Sequence, residues 1–346
     1  MIIKSARLRN TAISIIKEFN KKKINYGLGR NYNHFPNFGH DIDFYSTEDA
    51  QKLKKVLIVV AKKNGWDFLT HDIHFNGFLS KVSSIDTFHF YKFETGEYEV
   101  LHLDFFRSFI IFGLPFIKSS NIKMKKHKKK FYFIDINTEN TFKLLQLCAN
   151  ISDKNFFHNE YVIKKRKIYK KKINSFYKKN KKTIVDNKLY FANAAIKSLQ
   201  LNKLQNFKFY INASRFLYFI KYFFLNPFGF FFYLFSRLIT LTNLFILNPP
   251  GLIINFYLED KRQDKKVYKA FNLLKNKNFI HRWCIKKKIL LSFSERKLLE
   301  RGGSVVLFSS QPTSDTHIIK KTDNLNRILK IIIQSLIKKN KIIYKK

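Results

Sequence analysis

The chain has 346 residues, with 66 Lys and Arg against 24 Asp and Glu and a formal charge of +42. Its 45% hydrophobic and 17% aromatic content supplies enough apolar surface for two or three domains, which excludes a wholly disordered basic tail. Two cysteines, Cys148 and Cys284, exclude a disulfide framework or a four-cysteine metal site and point to a reducing compartment, the cytoplasm.

Met1 to Phe19 alternates basic residues with short apolar pairs, which is not the pattern of a signal peptide. Leu8, Ala12, Ile15, Ile16 and Phe19 recur at helical spacing, and Lys21 to Lys23 place positive charge where the helix dipole favours it. A strand follows at Ile24 to Leu28, then a loop rich in Asn, Pro and Gly from Asn31 to Gly39, then a strand at Asp41 to Tyr45. Ser46 with Asp49 reads as a capping box for a helix through Leu53, Val56, Leu57 and Val60, ended by Gly65. Strands at about Thr87 to Phe93 and Tyr98 to Phe106 are joined by the turn Glu94 to Glu97. These elements predict a small α/β unit, in the α+β sense, with mixed strands over residues 1–120.

Charge is uneven along the chain. Residues 1–120 hold 17 basic and 12 acidic side chains, and residues 121–346 hold 49 and 12. The basic residues come in scattered lysine runs, without Arg and Gly interleaved with stacking aromatics, so nucleic acid is not the expected partner. An excess of Lys, Asn, Ile, Phe and Tyr also follows from AT-rich coding. Residues 121–208 read as a basic helical extension with one apolar helix, Thr141 to Ala149. Residues 209–248 are dense in Phe, Leu, Ile and Tyr, and Tyr222 to Ser236 carries no charge. Asn226, Pro227 and Gly229 interrupt that run, and Arg215, Lys221 and Arg237 punctuate its surroundings, so it is expected as helices buried against protein or lying on an anionic membrane surface. Beyond Pro249-Pro250-Gly251, residues 249–346 read as a strand at Leu252 to Leu258, a helix at Asp264 to Leu274, a strand at Ser304 to Phe308 and a basic, isoleucine-rich helix or tail.

The constellation with most chemistry is Gly39-His40-Asp41-Ile42-Asp43-Phe44. In a strand, Asp41 and Asp43 project from one face while Ile42 and Phe44 enter the core. Close carboxylates repel, and a divalent cation or a shared proton relieves them. His102-Leu103-Asp104-Phe105 supplies a third carboxylate, with His102 and Asp104 on one face of their strand, as a site for two metal ions requires. Other groups read as structural: His71 and His74 share no face, and Trp66 and Trp283 suit packing.

These residues carry a resemblance. Gly29 followed by Asp41-Ile42-Asp43 and a later Asp104 resembles the nucleotidyltransferase superfamily. Arg30-Asn31-Tyr32, Phe35-Pro36 and Leu101 to Phe106 are similar to the nucleotidyltransferase-like proteins found with bacterial surface-polysaccharide genes, over roughly the first 150 residues. The resemblance implies Mg²⁺ or Mn²⁺ held by Asp41, Asp43 and Asp104, a nucleoside triphosphate near Gly29 and Arg30, and transfer of a nucleotidyl group to an acceptor, with Asp104 helping to deprotonate the acceptor hydroxyl. Arg30 stands where the superfamily commonly has Ser. Residues 249–346 resemble a degenerate thymidylate kinase-like P-loop region in which Leu258 to Lys265 replaces the phosphate loop without its glycines, and Asp264 replaces its lysine. The expected function is a metal-dependent nucleotidyltransferase in surface-polysaccharide or carbohydrate metabolism, without kinase activity, in the cytoplasm or peripheral at the inner face of a membrane. The alternatives are a non-catalytic scaffold descended from such a fusion, and a glycosyltransferase using Asp41 and Asp43.

Overall fold

A computed structural model describes residues 5–29, 32–71, 85–111, 114–118, 121–128, 130–135, 138–139, 171, 191–201, 203–245, 251–280, 283–286, 292–300 and 304–346. Helix α1 (Ala6–Lys21) begins where the Ser5 hydroxyl accepts a hydrogen bond from the Arg7 amide at 3.1 Å. Helix α2 (Ala50–Lys63) is capped by the Asp49 carboxylate, which accepts from the Gln51 amide at 3.0 Å. This corrects the predicted capping box: Ser46 stays in its strand, where its hydroxyl donates to the Asn25 carbonyl at 2.6 Å. Past α2, Gly65 takes φ +66°, which lets the chain leave the helix without a Cβ penalty.

The main sheet has eight strands. Those predicted are β1 (Tyr26–Leu28), β2 (Asp41–Ser46), β4 (Ile85–Lys92) and β5 (Glu99–Phe106). To these the structure adds β3 (Phe68–His71), β8 (Met124–Lys126), β9 (Tyr132–Ile134) and β14 (Lys341–Lys345), in the order β14-β3-β4-β5-β2-β1-β9-β8. The pairs β2–β5 and β1–β9 are parallel and the others antiparallel, a mixed sheet. Strands β8 and β9 correct the expectation of helix at those residues after 120, and β14 follows the predicted C-terminal helix. The predicted helix Thr141 to Ala149 lies outside the described residues. Strands β6 (Ser108–Ile111) and β7 (Leu114–Lys118) form a separate hairpin.

One face of the main sheet is the first core. Ile42 and Phe44 from β2, Phe88 and Phe90 from β4, and Leu101, Leu103 and Phe105 from β5 meet Ile15 and Phe19 of α1 and Leu53, Leu57 and Val60 of α2. Each such side chain contributes about 1.5–3 kcal/mol on burial. Strand alternation turns the residues between them to the opposite face. There Phe68, Tyr91, Phe93 and Val100 enter a second core with the C-terminal unit.

That unit is a four-stranded parallel sheet: β10 (Leu252–Leu258), β11 (Trp283–Lys286), β12 (Ser304–Ser309) and β13 (His317–Ile319), in the order β11-β12-β10-β13. Among the described residues three helices accompany it, numbered by chain order: α6 (Asp264–Asn276), α7 (Phe293–Glu300) and α8 (Leu325–Lys339). Val267, Phe271 and Leu274 of α6 and Ile328, Ile332 and Ile333 of α8 seal the second core. Strand β14 then pairs antiparallel with β3, joining Lys341 to His71 in register, so the chain returns to its first sheet.

Between the two units run α3 (Ala192–Gln200), α4 (Leu204–Leu225) and α5 (Pro227–Phe245). The break at Asn226 falls where the sequence places it. Among the described residues no single helix is long and apolar enough to cross a membrane; Gln205–Leu225 and Pro227–Phe235 meet that test only as a pair, bent by 119°.

Candidate metal centre

The geometry of the site follows from register. Parallel pairing of β2 with β5 sets Asp43 beside Asp104 and Asp41 beside His102, on the face turned away from the first core. One carboxylate oxygen each from Asp41, Asp43 and Asp104 lies within 4.8 Å of the other two. Asp41 is exposed and the other two are half-buried, so a ligand can reach the group from solvent.

Hard oxygen donors suit Mg²⁺ or Mn²⁺. An octahedral ion with bonds of about 2.1 Å sets adjacent ligands about 3 Å apart, so the three carboxylates need to close by up to about 2 Å to share one. The backbone behind them is fixed by the pairing of β2 with β5.

A neighbouring strand orients Asp104. Antiparallel β4 sets Thr87 opposite Asp104, and the Thr87 hydroxyl donates to Asp104 Oδ1 at 2.7 Å. His89 lies opposite His102, with their rings edge to face at 4.6 Å. The His102 Nε2 sits 3.1 Å from the Asn278 carbonyl; since a carbonyl only accepts, Nε2 carries the proton. Asn278, at φ +64° in the turn after α6, belongs to the C-terminal unit, which therefore reaches the edge of the site. The sequence alone does not single out Thr87 and His89. Their alternation with Phe88 and Phe90 marks them as the opposite face of β4, but which strand lies beside β5 cannot be read from β4 alone.

Gly29 stands against the site's backbone. Its amide donates to the Asp43 carbonyl at 2.8 Å. A Cβ there would lie 2.8 Å from Tyr45 Cε2 and 3.4 Å from Asp43 Cβ, so close approach of the chain is what requires glycine. Arg30 and Asn31 lie outside the described residues, as does His74.

Two acidic clusters elsewhere on the sheet are satisfied within the fold. Buried Asp86 accepts from His71 Nε2 at 3.1 Å and from Arg107 at 2.5 Å. Burial pushes its pKa up, but the His71 hydrogen bond and the Arg107 charge outweigh this and hold it below the usual carboxylate range. Buried Asp67 accepts from Lys92 Nζ at 2.6 Å and from the Phe93 and Glu94 amides at 2.7 and 2.8 Å. Burial again raises its pKa, and these bonds together bring it below the usual value.

The loop after β10 has a different construction. Residues Lys261–Gln263 form a 3-10 turn whose first amides are capped from within: Asp260 Oδ1 accepts from the Arg262 amide at 2.9 Å, and the Arg262 side chain returns to the same carboxylate at 3.2 Å. The Gln263 side chain donates to the Lys321 carbonyl at 2.6 Å. Among the described residues, those with positive φ are Lys23, Gly39, Gly65, Gly96, Lys130, Phe191 and Asn278, and none falls in 258–265. The alternation of right- and left-handed residues that aims several amides at one anion is absent from this loop.

No family model, curated protein or solved structure matches the chain.

Proposed function

We propose that the chain is a metal-dependent nucleotidyltransferase that moves a nucleotidyl group from a nucleoside triphosphate to an acceptor hydroxyl and releases pyrophosphate, in the manner of the nucleotidyltransferase-like proteins it resembles. The observation that carries this reading is the convergence of Asp41, Asp43 and Asp104 within 4.8 Å on adjacent parallel strands. Mg²⁺ or Mn²⁺ bound there supplies charge neutralisation for the triphosphate and acidifies what it coordinates.

The chain's own residues do the rest. Asp41 and Asp43 bind the ions from one strand. Asp104, oriented by the Thr87 hydroxyl, completes the site and accepts the acceptor's proton. Gly29 lets the loop approach Asp43 closely, and Arg30 offers charge to the phosphates. For the C-terminal sheet we infer a supporting role: it packs behind β3, β4 and β5 and fixes the His102 tautomer through Asn278.

Thermal unfolding of the full chain with Mg²⁺ or Mn²⁺, alone and with each nucleoside triphosphate, tests the reading, because a ligand of the folded state stabilises it. A metal-dependent rise that grows with one triphosphate is the expected result. No rise with any combination overturns it.

A further inference from the structure

We propose that the α4–α5 hairpin docks the protein on an anionic lipid surface by dipping its bend into one leaflet. The two arms turn through 119° at Asn226. They are fastened to each other by rings: Phe223 meets Phe230 at 5.5 Å, and Phe219 meets Tyr233 at 6.1 Å. With the inner face thus filled, the outer face is apolar as well. Phe224, Leu225 and Phe228 at the bend are 76%, 73% and 88% exposed, and Phe216, Phe231 and Leu238 along the arms are each more than half exposed. Contiguous exposed apolar patches of this kind mark interaction surfaces.

The charge pattern selects the occupant. Residues 204–245 contain Lys208, Arg215, Lys221 and Arg237 and no Asp or Glu. A second copy would bring the same cations to the interface and be repelled. Anionic headgroups complement them. Spacing agrees: measured along α4, Lys221 lies about 6 Å from Leu225 and Arg215 about 15 Å from it. Interfacial helices sink about 5–10 Å, and one leaflet offers about 15 Å of hydrocarbon. The bend therefore reaches acyl chains while Lys221 and Arg215 stay among headgroups, with Arg215 steadied 5.4 Å from the Phe219 ring centre.

The test is sedimentation of the full chain with phosphatidylcholine vesicles, with and without phosphatidylserine. Binding is expected to strengthen at least about tenfold with the anionic lipid. The triple variant F224S/L225S/F228S should lose at least about tenfold in affinity while keeping the wild-type melting temperature, since those side chains are already exposed. In F228W, the new indole emission should shift to the blue on vesicles and be quenched by lipids brominated on their acyl chains. Equal binding by the triple variant, or no quenching in F228W, overturns the proposal. So does a chain that ignores vesicles and instead dimerises in a manner the triple variant abolishes, which would make a second copy the occupant.

Discussion

Two strand-end regions of this molecule hold carboxylates beside a loop, and they use them in opposite ways. At β2 and β5, three aspartates from two strands converge within 4.8 Å, and the sheet holds their backbones together against repulsion. After β10, Asp260 is taken up by the Arg262 amide and side chain two residues away. A carboxylate answered by its sequence neighbours caps a turn. Carboxylates set together by register from distant parts of the chain form a group of hard oxygen donors that could hold a cation.

Asp43→Asn is the strongest way to break this comparison. It should lower nucleotidyl transfer by at least about 100-fold and abolish the metal-induced rise in melting temperature, which in the wild type is worth about 2.7 kcal/mol at a hundredfold excess over Kd. The metal-free melting temperature should hold or rise, because repulsion is relieved. A variant that still responds to metal refutes the site. Next in size, a double variant with Asp41→Asn and Asp43→Asn should show no saturable, magnesium-dependent ATP binding at physiological salt. If calorimetry finds micromolar binding that survives, the loop at 258–265 retains a phosphate site and the contrast fails.

Gly29→Ala sharpens the first half of the contrast. The added methyl forces the Tyr45 ring and Asp43 to yield, costing about 1–3 kcal/mol in chemical denaturation, and metal affinity should fall with it. Unchanged affinity would mean that the loop does not set Asp43. The smallest effect concerns the carboxylates answered within the fold. Asp86 and Asp67 titrate below their unfolded value, so their stabilisation is complete above about pH 3.9 and is lost as pH falls through the folded pKa. Asp86→Asn should flatten the acid limb of a melting temperature against pH profile. A limb as steep as the wild type's would assign acid sensitivity elsewhere.

The sequence made the elements around the site legible because period and punctuation agree there. Ile42 and Phe44 alternate with Asp41 and Asp43, Leu103 with His102 and Asp104, and α1 and α2 show clear apolar stripes. Adjacency was legible only as an inference from three aspartates that had no packing role. Short strands escaped notice: β8 is Met-Lys-Lys, with no alternation to see, and it exists because β9 lies alongside it. Strand β14, Lys-Ile-Ile-Tyr-Lys, merges with the isoleucine-rich helix before it, and Asn340 ends that helix without a glycine or proline to announce the change. Thr87 and His89 were hidden for another reason, since a side chain opposite a site is named by pairing and not by its own strand.

The pairing of Lys341 with His71 also bears on how the protein is made. Strand β3 is a near-continuous buried run, and its outer edge is closed by residues that leave the ribosome some 270 positions later. At ordinary rates of synthesis that interval is about 15–50 s. A first sheet that assembled in that interval would have an open edge at β3, which invites pairing with another nascent copy. A chaperone that holds extended strands is therefore expected to raise the yield on overexpression, as soluble protein measured with and without it would show.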